Sequence, residues 1–215
     1  MIPDMLIRTA AAPPFYKNGY VVSCEATKDA VLIDPGDEVD QLLDAVAADV
    51  VTVKAILLTH AHVDHVTGVA RAKRALGTKV WLHRADEFLY EGVVEQGLLF
   101  GLNVERQPPI DEFYEPGKAF EFGECVVDVL HTPGHCPGGV CLAIGRRDDG
   151  HRDLFVGDTL FAGSIGRTDL PGGDTDTLLR SIREVLFKFP DETMVYSGHG
   201  PATTIGQERR TNPFL

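Results

Sequence analysis

Apolar positions come in short blocks along the first third of the chain, and their spacing changes from block to block. Residues 20–25 and 30–33 are apolar and rich in β-branched side chains on either side of a polar turn at Lys28-Asp29, which predicts a hairpin. Asp34-Pro35-Gly36-Asp37 breaks the second strand and starts a helix whose apolar positions Val39, Leu42, Leu43 and Val46 fall at i, i+3, i+4 and i+7. A strand at 54–58 follows, then a helix over 64–76 stopped by Gly77, a short strand at 79–82, and a helix or helix pair over 84–99 that contains Gly92 and Gly97. After a loop at Gln107-Pro108-Pro109 the pattern turns β, with strands at 120–122, 125–130, 140–144 and 154–156 and turns at Gly123-Glu124 and 146–150. A helix over 175–189 ends before Pro190, a strand at 193–196 leads into Ser197-Gly198-His199-Gly200-Pro201, and a short helix is expected from Ile205.

Strands and helices alternate in both halves, while neighbouring strands also require antiparallel pairing, so the fold class is α/β with two sheets and helices outside them. The 215 residues suffice for one sizeable core, and no Gly/Ser-rich linker divides them, so a single domain over 1–215 is expected. A hydrophobic share of 44% against 24% charged excludes disordered and fibrous classes. The longest apolar runs, such as 55–58, fall far short of the roughly 20 residues that a spanning helix needs. The stretch 1–8 carries no basic segment followed by an apolar core, so the expected location is the cytoplasm. The four cysteines Cys24, Cys125, Cys136 and Cys141 are then expected as reduced thiols. A net charge of −12 disfavours nucleic acid as a partner, because such affinity comes from Lys and Arg displacing phosphate counterions. A small-molecule substrate fits better.

The chemistry concentrates in Thr59-His60-Ala61-His62-Val63-Asp64-His65, where a strand gives way to a helix. Imidazole nitrogen and carboxylate oxygen are the ligand types of zinc and its divalent neighbours. His60 and His62, two residues apart in extended chain, point the same way and can hold one metal, whereas Asp64 and His65 diverge as the helix begins and suit a second ion. Paired hydrolytic ions lie roughly 3.5–4 Å apart. Three further candidates stand just beyond strands: His135 in Pro133-Gly134-His135, Asp158 in Gly157-Asp158-Thr159, and His199 in Gly198-His199-Gly200. The alternative reading, ordinary loop and capping polarity, does not account for these residue types at these positions together.

The order His-x-His-x-Asp-His, Pro-Gly-His, Gly-Asp-Thr, Gly-His-Gly resembles the metallo-β-lactamase superfamily over nearly the whole chain. The resemblance implies a four-layer αβ/βα sandwich with the metal site at one edge between two mixed sheets. It also implies that His60, His62 and His135 bind the first metal, that Asp64, His65 and His199 bind the second, and that Asp158 bridges them. Within the superfamily the chain is similar to the short, single-domain branch of glyoxalase II-like (hydroxyacylglutathione hydrolase-like) enzymes. That likeness rests on residues 31–36, on 163–174, on His199-Gly200-Pro201 and on the ending 208–215. Full-length glyoxalase II carries a C-terminal helical extension that grips glutathione, and the chain is expected to lack it.

A water shared by two divalent ions loses its proton near neutral pH, so the expected activity is hydrolysis of a small acyl thioester such as S-lactoylglutathione by a metal-bridging hydroxide, with Asp64 orienting it. Zinc is the expected metal, with iron and manganese as alternatives. The rival from another class is a mononuclear iron oxidoreductase resembling persulfide dioxygenases, which share a segment like Gly166-Arg167-Thr168-Asp169; a hydrolase of another ester or lactone and a silent metal-binding module are the remaining readings. Arg167 either clamps a substrate carboxylate or pairs with Asp169 or Asp174. Asp34 either caps the next helix or supports a metal-binding histidine. His131, His83 and His151 are read as structural, and Cys136 as a buried thiol. Tyr16, Tyr20, Phe88, Tyr90 and Phe100 could line a pocket mouth, but aromatics in such positions are more often core.

Overall fold

The computed structural model describes residues 5–148 and 150–215. Residues 1–4, the start of the stretch 1–8, and position 149 in the turn 146–150 lie outside the described residues. The first sheet orders six strands as they occur in the chain: β1 (Met5–Ala12), β2 (Lys17–Cys24), β3 (Asp29–Ile33), β4 (Thr52–Leu57), β5 (Lys79–Leu82) and β6 (Glu112–Phe113). The pairs β1/β2 and β2/β3 are antiparallel hairpins, whereas β3 to β6 run parallel through helical crossovers, so the sheet is mixed.

The second sheet is built from β7 (Phe120–Phe122), β8 (Cys125–His131), β9 (Val140–Arg146), β10 (Asp153–Gly157), β13 (Met194–Ser197) and β14 (Thr203–Thr204), in the order β14-β13-β10-β9-β8-β7. Only β10 and β13 pair in parallel. Because β9 runs against both β8 and β10, the carboxyl ends of β8, β10 and β13 open at one edge. A small ribbon, β11 (Leu160–Phe161) with β12 (Ser164–Ile165), follows β10.

Side-chain alternation sorts the apolar residues into three layers. Val22, Val31, Ile33 and Leu57 of the first sheet meet Val127, Leu142, Ile144 and Phe155 of the second, forming the central layer. The opposite faces bury Leu32 and Ile56 against Leu42 and Val46 of α1 (Val39–Asp49), and Cys141, Leu154 and Val156 against Leu178 and Ile182 of α6 (Thr175–Glu184). Helix, sheet, sheet, helix is the four-layer sandwich anticipated from the motifs. Among the described residues no helix is long and apolar enough to cross a membrane.

Several boundaries differ from the sequence expectation for physical reasons. The helix expected over 64–76 is two, α2 (Val63–Val66) and α3 (Val69–Leu76), separated at Gly68. There the backbone passes against the Pro35-Gly36 loop so closely that a Cβ would lie 2.3 Å from the Gly36 carbonyl oxygen. Residues 84–99 form a 3₁₀ turn (Arg84–Asp86), α4 (Glu87–Glu91) and α5 (Val93–Leu99), with Gly92 at the break. The helix expected over 175–189 ends at Glu184, and Leu186–Lys188 tightens into a 3₁₀ turn. The last helix, α7 (Ile205–Thr211), begins where expected. Strand β1 was not anticipated, since its alanines at 10–12 give little β signal.

Candidate metal centre

Each of the seven predicted residues sits where a strand runs out. Beyond β4 the extended segment holds His60 and His62, and α2 carries Asp64 and His65 on its first turn. His135 lies in the loop after β8, Asp158 directly follows β10, and His199 follows β13. All seven converge. The rings of His60, His62 and His135 stand 4.5–4.9 Å apart between centroids, and His60 and His65 4.0 Å apart. His199 Nε2 is 3.1 Å from Asp64 Oδ2. Asp158 lies between the two halves: Oδ1 faces His65 Nε2 at 3.3 Å, while Oδ2 is 3.7 Å from both His135 Nε2 and His199 Nε2.

Hydrogen bonds to the outward nitrogens determine where the lone pairs point. Asp34 and the Arg167 carbonyl only accept, so Nδ1–H of His65 donates to Asp34 Oδ2 (2.9 Å) and Nδ1–H of His135 donates to the Arg167 carbonyl (2.7 Å). The Thr59 hydroxyl donates to Asp34 Oδ2 at 2.5 Å and accepts from His60 Nδ1–H at 3.1 Å. Asp34 therefore supports two imidazoles, one directly and one through Thr59, and does not cap the next helix. The Nε2 atoms of His60, His62 and His65, with Asp158 Oδ1, are buried and lack a hydrogen-bond partner among the described residues, while His62 turns Nδ1 toward His135 Nε2 at 2.7 Å. Several orphaned polar atoms buried in one cluster are costly unless a cation completes them. His60, His62 and His135 form one group whose ligand atoms fit around an ion, and Asp64, His65 and His199 form another. Asp34 groups with His60 and His65 by distance alone, but its oxygens are already engaged.

Electrostatics divide the imidazoles. Burial, then the neighbouring His135 ring, pushes His62 down to about 3, and burial with the surrounding imidazoles keeps His60 well below the usual histidine value. Burial acts on His65 in the same direction, but the carboxylates of Asp158 and Asp64 outweigh it and push His65 up to about 10. Asp158 is held below the usual carboxylate range: burial opposes this, and His65 provides the largest opposing pull. His60 and His62, neutral beside ionised carboxylates, are in the protonation state that divalent cations bind, and a cation bound at His65 would displace its proton.

Above the cluster a pocket is walled by Phe15, Val63, Phe100 and Leu170, with Gln96 and Arg167 at its polar margin. Phe15 and Phe100 meet edge to face at 5.4 Å. Of the five aromatics considered from sequence, Phe100 alone lines this pocket. Tyr20 and Tyr90 are buried, with hydroxyls donating to the Ser197 and Pro108 carbonyls, whereas Tyr16 and Phe88 are exposed elsewhere. Arg167 makes a two-pronged bond to Asp169, 2.7 Å on each side, and still borders the pocket; Asp174 instead caps α6 through Thr177. His131 donates to the Pro137 carbonyl and stacks on His83 at 4.2 Å, outside the cluster. All four cysteines are buried and free. Phe15, Gln96 and Asp86 were not legible from sequence. Phe15 reaches the pocket only through the fold, while Gln96 and Asp86 bond the backbone around His62.

Gly198 leaves room that the cluster requires, since a Cβ there would lie 2.2 Å from Asp158 Oδ1 and 2.7 Å from His65 Cε1. Gly198→Ala is accordingly expected to keep the fold, judged by circular dichroism, while weakening metal retention by at least the roughly 10–100-fold seen when a ligand's support is lost. Unaltered metal content would show that the cluster tolerates displacement of Asp158.

Comparison with known proteins agrees with this geometry. A sequence model described as the metallo-beta-lactamase superfamily matches residues 12–199. The chain is 40% identical to hydroxyacylglutathione hydrolase GloC of Haemophilus influenzae over 87% of this chain and 88% of that one. Among solved structures it is similar to BLEG-1 B3 metallo-beta-lactamase (TM-score 0.88, 37% identity, 98% and 99% of the two chains covered). It is also similar to TTHA1623 in a di-iron-bound form (TM-score 0.85, 42% identity, 97% and 100% covered). Motif order, sandwich topology and matched length together place the chain in the metallo-beta-lactamase superfamily.

Proposed function

We propose that the chain is a metal-dependent hydrolase of a small acyl thioester such as S-lactoylglutathione. In this reading His60, His62 and His135 hold one divalent ion, Asp64, His65 and His199 hold a second, and Asp158 serves both. The observation that carries it is the set of buried, unpartnered imidazole nitrogens of His60, His62 and His65 clustered with the equally unpartnered Asp158 Oδ1. Ions bound there would supply Lewis acidity, lowering the pKa of water and polarising a carbonyl. Among the described residues no serine or cysteine lines the pocket, which supports water as the attacking group in this reading. Asp64, anchored by His199 and lining the pocket, orients that water. Phe15, Val63, Phe100 and Leu170 give the substrate an apolar seat that excludes bulk water, and Arg167 is placed to meet a substrate carboxylate. The relative named for hydroxyacylglutathione hydrolysis supports a thioester. Zinc is our first choice of metal, with iron or manganese also suited to the donors, and iron favoured by the neighbour in its di-iron-bound form.

Protein purified without added metal is expected to contain about two ions per chain and to hydrolyse S-lactoylglutathione, with turnover abolished by chelation and restored by metal. His62→Ala should remove both metal and turnover. Opening of lactones or oxygen esters with no action on thioesters would overturn the substrate while leaving the mechanism. One iron per chain together with oxygen uptake on a glutathione persulfide would point to the oxidoreductase.

A further inference from the structure

Asp86 ends the 3₁₀ turn Arg84–Asp86 and is completely buried. Its carboxylate faces two loops that are far apart in sequence. Oδ2 accepts the backbone N–H of Ala61, between His60 and His62, at 3.2 Å. Oδ1 accepts the N–H of Gly138 at 2.6 Å, and Oδ2 also accepts from the Cys136 thiol at 3.1 Å, next to His135. The approach is close enough that a Cβ on Gly138 would lie 2.7 Å from Asp86 atoms. A buried carboxylate is costly to desolvate, and its bonds here come from two main-chain N–H groups and a thiol. Gln96 secures the same segment from the other side, taking the Val63 N–H and donating to the Ala61 carbonyl. Among the described residues Asp86 hydrogen-bonds neither α2, which carries Asp64 and His65, nor the loop that carries His199.

We propose that Asp86 is a positioning residue that ties the His60-Ala61-His62 segment to the His135 loop and thereby sets the affinity of that trio, and not of the Asp64, His65, His199 group, for its ion. The proposal rests on the two-ion reading above. An asparagine at 86 retains one acceptor oxygen, so it can serve one loop and turns an amide N–H₂ toward the donors of the other. Loss of a residue that supports metal ligands lowers metal affinity by about 10–100-fold.

The test compares wild type, Asp86→Asn and Asp86→Ala by competition of zinc against a chromophoric chelator, with the cobalt-substituted spectrum, kcat, KM and the melting temperature of the metal-free protein measured alongside. Asp86→Asn is expected to weaken one of two ions by about 10–100-fold and the other by less than about threefold, to alter one set of cobalt bands, and to lower kcat with KM little changed. In a His199→Ala background, which leaves the trio intact, Asp86→Asn should weaken the remaining ion by the same factor. Asp86→Ala should exceed Asp86→Asn; if it does not fold, Asp86→Asn carries the test. A lower melting temperature with both ions weakened equally, or neither weakened, overturns the proposal and leaves the two-ion reading standing. Failure of the wild type to bind zinc or cobalt would bring down that reading and the proposal with it.

Discussion

Asp158→Asn is expected to lower turnover by more than the roughly 10–100-fold that follows loss of a supporting residue, and to leave the purified protein with one ion per chain or fewer. Asp158 is the only one of the seven residues whose two oxygens face both halves of the cluster, Oδ1 toward His65 and Oδ2 toward His135 and His199. The amide is nearly isosteric, so packing is preserved, but it loses a negative charge. Its N–H₂ also donates to an imidazole nitrogen whose lone pair points inward, and so occupies an electron pair that a cation needs. Because Nδ1–H of His65 and of His135 is committed to Asp34 and to the Arg167 carbonyl, neither ring can offer its other nitrogen to an ion without breaking a buried bond. Elemental analysis beside the thioester assay reads the result directly. Two ions retained with turnover within a few-fold of wild type would remove Asp158 from the centre and require the two groups to act separately. Asp34→Asn is the informative contrast, since Asp34 bonds Thr59 and His65 from behind.

The parts of this centre that were legible in the sequence share a local signature. His60, His62, Asp64 and His65 lie within six residues, and His135, Asp158 and His199 each adjoin a glycine just past an apolar strand. Such features mark a strand end that turns sharply, and strand ends at one sheet edge are near one another whatever the intervening loops do. The four-layer fold follows from the same patterns, since β-branched runs and helical spacing were clear in both halves. What stayed hidden depends on partners remote in sequence. Asp86 sits in an unremarkable helical stretch, and its importance comes from Ala61, 25 residues before it, and Gly138, 52 residues after it. Gly68 breaks a good helical pattern because the Gly36 carbonyl occupies the space a side chain would need. Lys17 lies at the start of β2 with 1% of its surface exposed, a position that hydropathy alone assigns to solvent. For Arg167 the sequence offered an ion pair or a clamp on a substrate carboxylate; the fold forms the ion pair, with Asp169, and sets the side chain at the pocket border.

Lys17→Met is expected to destabilise the fold by about 3–5 kcal/mol, the range for removing one partner of a buried ion pair. Lys17 Nζ lies 2.5 Å from Glu38 Oε1 and also donates to the Asp34 carbonyl, while Glu38 Oε1 accepts the Gly36 N–H at 2.9 Å. Glu38 is as buried as Lys17, so after the substitution its charge stays desolvated with one backbone N–H for support. Adding Glu38→Gln removes that charge and keeps an acceptor for Gly36, so the double variant should recover a large part of the loss. A cycle of the two substitutions, followed by urea unfolding of metal-free protein, measures the coupling. Additive effects would show that the pair is energetically idle. The consequence extends to the centre, because Asp34 adopts a left-handed backbone (φ 47°) that is unfavourable for a residue with a side chain. The Lys17 ammonium on its carbonyl holds it in that conformation, from which its carboxylate reaches Thr59 and His65. Lys17→Met should therefore weaken metal retention even under conditions where the variant is fully folded, and that loss should be absent from an equally destabilising core substitution such as Phe155→Ala, which removes a buried ring between the sheets for about 3–5 kcal/mol.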